Sequence, residues 1–170
     1  MMVDEKPPKS GKARTGSRRS AARLAAVQAL YQDEMTSLGA RDVVGEFARH
    51  RLGQEIDGDD YVPADQTLFE ELVRGAIEHR PALDALLVPV LDVEWPLDRL
   101  EMVLRAILRA ATFELAHRID VPVRVVITEY VDIAHAFFAG KEPGFVNGVL
   151  DRLARSLRPT ELAGGTAPTA

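Results

Sequence analysis

Three arginines, Arg18, Arg19 and Arg23, head the first stretch of helical apolar spacing. A guanidinium meets phosphate with a planar fork of N–H donors and stacks on unpaired bases, so arginines bracketing a helix start suit single-stranded RNA. Lys6, Lys9, Lys12 and Arg14 lie just upstream. Through Arg23 there are seven basic residues against two acidic ones, and from Leu24 onward 14 against 24, so a net −5 chain carries a +5 arm on a −10 body. That placement opposes folding. Cations at a helix N-terminus work against the helix dipole, and Arg19 repels Arg23 one turn on, each effect costing a few tenths of a kcal/mol. The natural recipient of the charge is an external polyanion. A membrane surface fits less well, because the arm offers almost nothing apolar to insert and no lipidation motif.

A second constellation lies near the other end, at Lys141-Glu142-Pro143-Gly144-Phe145-Val146-Asn147-Gly148. A helix start presents free N–H groups to an anion. Lys141 adds charge, Phe145 offers a ring for base stacking, and Asn147 offers both donor and acceptor. Glu142 opposes this. The plainer reading makes Phe145 core and Asn147 a backbone partner. Glycine inside a helix costs about 1 kcal/mol relative to alanine, which favours close packing as the reason for Gly148; Phe145 stays open between the two roles.

Catalytic and metal patterns are missing. His50, His79, His117 and His135 share no metal-ligand spacing, and no nucleophile elbow, Walker loop or dinucleotide fingerprint is found. Carboxylates are plentiful, but on amphipathic helices they mark a solvated face. The expectation is a non-enzyme with no cofactor and no metal. With no cysteine, disulfides and thiolate chemistry are excluded, and a cytoplasmic location is expected. No apolar run approaches the roughly 18 residues of a membrane span, and the N-terminus lacks a secretory apolar region.

The elements that must position these residues are helical. The 46% hydrophobic content can fill a core, while only 6% is aromatic and Ala, Leu, Val and Arg dominate, favouring packed helices over a sandwich. Residues 1–16 are expected as a disordered basic arm and 160–170 as a flexible tail. The spacing predicts a first helix over Arg18–Met35, with Leu24, Val27, Tyr31, Met35 and Leu38 as its buried stripe. A second covers Ala40–Leu52, followed by an acidic loop at residues 54–63. A third spans Asp65–His79, and a fourth, with Pro81 in its first turn, ends near Leu91. Leu97–His117 is the most apolar segment and reads as the central helix. Val123–Phe138 has β-branched residues, yet its length and later spacing favour helix. Phe145–Leu157 closes the domain.

Three segments, in order, resemble the bacterial NusB family: Arg18-Arg19-Ser20-Ala21-Ala22-Arg23 through Leu30-Tyr31-Gln32, Ile107-Leu108-Arg109-Ala110-Ala111-Thr112-Phe113-Glu114-Leu115, and Val121-Pro122 through Ile127-Thr128-Glu129-Tyr130 to Phe145-Val146-Asn147-Gly148-Val149-Leu150-Asp151. The match covers about residues 17–159. The resemblance implies an all-α fold of about seven helices in two small packed bundles. It also implies an antitermination factor that binds single-stranded boxA RNA of ribosomal RNA transcripts, pairs with the ribosomal protein NusE, and joins RNA polymerase complexes. Carried over, Arg18, Arg19 and Arg23 fall on the RNA motif, with Lys141, Phe145 and Asn147 beside the RNA. Tyr31, Leu104 and Arg105 fall on the partner surface, Leu104 standing where the family often has an acid. Monomer and homodimer are both open. The rival readings are a helical protein-interaction module with a merely solubilising tail, and an RNA domain of a ribosomal RNA methyltransferase.

Overall fold

The apolar segment expected at the centre is the element on which most others pack. In the computed structural model, which describes residues 11–37, 39–50 and 64–164, the helices are α1 (Gly11–Thr36), α2 (Ala40–His50), α3 (Gln66–Glu78), α4 (Arg80–Leu87), α5 (Met102–His117), α6 (Val123–Phe137), α7 (Glu142–Leu157) and α8 (Pro159–Gly164), with 3-10 turns at Val88–Val90 and Leu97–Arg99. Among the described residues there is no strand. α5 touches α1, α3, α4, α6 and α7. It is shared by an N-terminal group (α1 to α3) and a C-terminal group (α6, α7), and a single apolar cluster runs through both. Ile107, Leu108 and Leu115 of α5 are buried in it, each contributing about 1.5–3 kcal/mol by removal from water. Thr112 sits in the same interior because its hydroxyl donates to the Leu108 carbonyl at 2.6 Å.

Several boundaries differ from the sequence expectation. α1 begins at Gly11, inside the segment expected to be disordered; once the packed part is nucleated, each further residue adds a backbone hydrogen bond at low cost, so helix can extend through poor formers. Its buried face is also rotated. Ala22, Ala26, Ala29 and Leu30 are buried along with Val27, whereas Leu24 is half-buried and Tyr31 and Met35 are exposed. Small side chains let α1 lie close to α3 and α5, and the larger ones fall to the edge. Leu38 and the acidic loop at 54–63 lie outside the described residues.

The tail expected over 160–170 is corrected for residues 160–164, which belong to α8 (Pro159–Gly164). Glu161 of α8 accepts from the Val123 N–H at 2.8 Å, satisfying a free donor at the start of α6. That hydrogen bond, foremost, and then Arg158 hold the Glu161 carboxyl below its ordinary value. Arg158 is itself buried and donates to the carbonyls of Glu114, Leu115, Arg118 and Val121 at 3.2, 2.8, 2.7 and 2.6 Å. A cation there neutralises the negative end of α5 and adds donors to the carbonyls of its last turn and of the loop beyond it.

The end of α1 is closed by an acid. Ser37 has φ 57° and its N–H donates to the Asp33 carbonyl; Gly39 has φ 87° and its N–H donates to Asp33 Oδ1 at 2.7 Å. Glycine adopts that left-handed backbone without a Cβ clash. The other Asp33 oxygen accepts from Arg80 at 3.0 Å, tying this turn to the start of α4.

Candidate nucleic-acid interface

The three arginines of the N-terminal motif part company in three dimensions. Arg18 and Arg19 are exposed, and among the described residues neither forms an ion pair. The Arg18 carbonyl accepts from the Asp65 N–H at 2.9 Å, so the backbone of this turn is pinned to the start of α3 while its side chains face out. Asp65 also caps α3 by accepting from the Leu68 N–H at 3.0 Å. Arg19 lies close enough to Asp120 to stabilise its charge, although the hydrogen bonds from Arg118 are the main reason that carboxyl is held low.

Arg23 is removed from the interface. It is 1% exposed and its Nε and Nη2 donate to both oxygens of Glu114, itself 0% exposed. Glu129 lies 3.7 Å from Arg23 Nη1, Ser20 donates to Glu129 at 2.8 Å, and the Tyr130 hydroxyl donates to Glu114 at 2.8 Å. Burial alone would lower the Arg23 pKa, but the hydrogen bonds and charge of Glu114 outweigh it and hold the guanidinium above its ordinary value. Burial, then the Glu114 charge, push the Tyr130 phenol well above its own, so it stays a donor. The expectation that Arg23 meets phosphate is therefore corrected: its donors are spent joining α1 to α5.

Sequence reasoning missed Glu114 as a partner. The available signal was a lone carboxylate between Phe113 and Leu115 in the most apolar helix, where an unpaired charge is prohibitively costly.

At the other constellation, Lys141 occupies the N-cap position of α7 and is exposed, Asn147 is exposed, and Phe145 is half-buried. The Phe145 ring lies 6.5 Å from the Trp95 ring, centroid to centroid, tilted by 50°. Gly148 does not pack. A Cβ there would meet only the far end of Arg152, at 3.4 Å, which overturns the close-packing expectation. A glycine that does pack is Gly75, where a Cβ would stand 2.2 Å from the Phe113 ring.

The two constellations stand on different helices: Arg18 and Arg19 on α1, and Lys141, Phe145 and Asn147 at the start of α7, with α6 between them in the chain.

The residues expected at a protein partner also diverge. Tyr31 is 36% exposed and, with Met35, Val27, Val103 and Phe137, lines an open apolar groove of about 490 Å³. Leu104 is buried in the core, at 6% exposure, and cannot offer a surface contact; an apolar side chain on the core-facing side of α5 has no reason to turn outward. Arg105 is mostly shielded and engaged within the chain by Glu34 and by the Leu100 carbonyl. Arg109 beside it holds both oxygens of Asp84, at 2.8 and 3.0 Å. These arginines brace α5 against α1 and α4.

Among the described residues no group of His, Cys, Asp and Glu could hold a metal ion, and no helix is long and apolar enough to cross a membrane. His79, Phe113 and His117 stack on one another, with ring centroids 4.7 Å apart for Phe113–His117 and 5.2 Å for His79–His117.

A long arginine-headed helix clamped by a buried ion pair to a central helix defines an all-α class of protein with a charged helical edge and a separate apolar groove. Comparison with known proteins places that class. The NusB family model matches residues 20–155, and the chain belongs to the NusB family. The Transcription antitermination protein NusB of Rhodopseudomonas palustris is 48% identical over 163 residues, covering 96% of each chain. That of Rhizobium rhizogenes is 53% identical over 146 residues, covering 86% of this chain and 91% of the relative. Among solved structures, T. maritima NusB superposes with a TM-score of 0.67 at 30% identity, covering 85% of this chain and 96% of that one. A NusB chain in a crystal structure of antitermination factors NusB and NusE in complex with dsRNA gives a TM-score of 0.68 at 26% identity, covering 82% and 98%.

Proposed function

We propose that this chain is a transcription antitermination factor that binds the single-stranded boxA element of nascent ribosomal RNA transcripts, paired with the ribosomal protein NusE, within RNA polymerase complexes that resist termination. The observation that carries the reading is the fate of the arginine motif. Arg23 locks α1 to the core, while Arg18 and Arg19, one turn away, stay exposed and form no ion pair among the described residues. Charge held out in this way on a rigid helix suits a phosphate backbone. Exposed Lys141 and Asn147 beside Phe145 supply a second contact on α7, so a strand of several nucleotides would bridge both. A structural neighbour's crystal structure holds NusB and NusE in complex with dsRNA, which supports the RNA and NusE parts of the reading. The groove at Tyr31 and Phe137 is the surface for the protein partner.

The test is an anisotropy titration of a boxA-type RNA and a scrambled control, with and without NusE. The expected result is preference for boxA that strengthens with NusE, and, for about four to six phosphates engaged, a slope of log affinity on log salt near −3 to −4. Equal, weak binding of both RNAs with NusE present rejects the reading.

A further inference from the structure

The chain holds one tryptophan, and the fold leaves it in the open. Trp95 is 58% exposed, an unusual position for so large an apolar ring, and it sits beside Phe145, which is 50 positions further along. Its backbone is fixed. The Trp95 N–H donates to the Asp92 carbonyl at 2.9 Å, and Pro96 behind it restricts the chain to extended geometry. The segment is also tied to α7, because Arg152 Nε donates to the Val90 carbonyl at 3.1 Å. Lys141, Phe145, Gly148 and Arg152 fall at helical spacing along one side of α7.

We infer that Trp95 and Phe145 together form a platform on which one unpaired nucleobase stacks, making Trp95 a base-contacting residue of the RNA surface proposed above. Two rings tilted against each other, one open to solvent and one half-covered, leave aromatic surface accessible on the side of α7 that carries two exposed cations, Lys141 and Arg152. Every base has a π-face, so a ring platform takes any of them, while the flanking cations hold the backbone. Asp92 and Glu94 beside Trp95 repel phosphate, which directs the sugar-phosphate chain over α7 and leaves the base for the rings. Gly148 completes the surface. Among the described residues no neighbour needs its missing side chain, since a Cβ there would meet only Arg152 at 3.4 Å, yet glycine weakens the helix; a strand passing close to the α7 backbone supplies the need.

The inference rests on the RNA reading, and one experiment separates the two. A boxA-type single-stranded RNA with a fluorescent label is titrated with the full chain, with NusE present, while label anisotropy and the emission of the single tryptophan are followed together. Expected are quenching of Trp95 in step with the anisotropy, a loss of affinity of about fivefold or more in Trp95→Ala, near-retention in Trp95→Phe, and an unchanged salt slope in both. Trp95 is mostly exposed, so circular dichroism melts of both variants should match the parent. Binding with steady tryptophan emission and unchanged Trp95→Ala affinity overturns the platform and leaves the RNA reading standing. A Trp95→Ala defect confined to NusE binding also overturns it, making the patch a protein-docking surface. No anisotropy change at all removes both.

Discussion

Arg23 of α1 and Glu114 of α5 stand 91 positions apart in the chain and meet as a two-pronged ion pair shut away from solvent. Glu129 and Ser20 extend it to α6, and Tyr130 closes the remaining side of the Glu114 carboxylate. The pair fixes the helix that carries Arg18 and Arg19, so the arginine that never reaches solvent positions the two that do.

Removing one partner leaves a buried charge uncompensated. Arg23→Ala should therefore lower stability by about 3–5 kcal/mol in urea unfolding. An Arg23→Met, Glu114→Leu double substitution, which removes both charges, should recover much of that loss. The recovered protein should keep the parent's salt slope for RNA, whereas Arg18→Ala and Arg19→Ala should flatten it by about 0.7 for each phosphate no longer neutralised. A flattened slope in the double variant would return Arg23 to the interface.

Two glycines should respond in opposite directions. Gly75→Ala drives a methyl into the Phe113 ring, at 2.2 Å before relaxation, and should cost about 1–3 kcal/mol. Gly148→Ala meets only a flexible guanidinium end and should be neutral or stabilising by up to about 1 kcal/mol. Paired thermal melts decide between them. A destabilised Gly148→Ala would restore the packing explanation for that residue.

Acid should loosen the start of α6. The Glu161 carboxyl is held below its ordinary value of 4.5 chiefly by the Val123 N–H, then by Arg158. A group depressed in the folded state contributes its full stabilisation above the unfolded value, and loses it as pH falls through the folded one. The contribution should be intact at neutral pH and fade below about 4.5. Glu161 is substantially exposed, so screening limits the effect to roughly 0.5 kcal/mol. Stability of Glu161→Gln measured from pH 7 down to 3 should fall less steeply than the parent's; parallel curves would show the hydrogen bond contributes nothing in solution.

The groove lined by Tyr31, Met35 and Phe137 should report on a protein partner and not on folding. Because Tyr31 is at the surface, Tyr31→Asp should change the melting temperature little, while a charge placed in a desolvated apolar contact should weaken NusE binding at least tenfold. Calorimetric titration checks it. Undiminished binding would move the partner to another face.

Much of the architecture is legible in the residues. The turn-by-turn apolar spacing of Leu97–His117 and Val123–Phe138 marks the helices found at Met102–His117 and Val123–Phe137, even through a β-branched run, because an amphipathic period needs only neighbours three and four positions away; Leu97–Arg99 instead forms a 3-10 turn and the chain is extended at Leu100. Asp65 as the start of α3 and Pro81 in the first turn of α4 are equally local. The motifs around Arg23, Glu114 and Phe145 carry the family. These features depend on a few adjacent side chains and the geometry of one helix.

The assignment of roles within the motifs is another matter. Arg19 and Arg23 are one helical turn apart and chemically identical, yet one faces water and the other a carboxylate contributed by a different helix. No local property separates them; burial of a guanidinium is tolerable only where a counter-charge arrives from elsewhere in the chain. In the same way, Gly75 lies under Phe113, Gly148 faces only the far end of Arg152, and Trp95 finds Phe145 only once α7 has folded back beside the turn at residues 92–95. Helix identity came from short-range chemistry. Which side chains are structural and which are free to meet a ligand was decided by how the helices pack, since exposure and pairing are properties of the assembled surface.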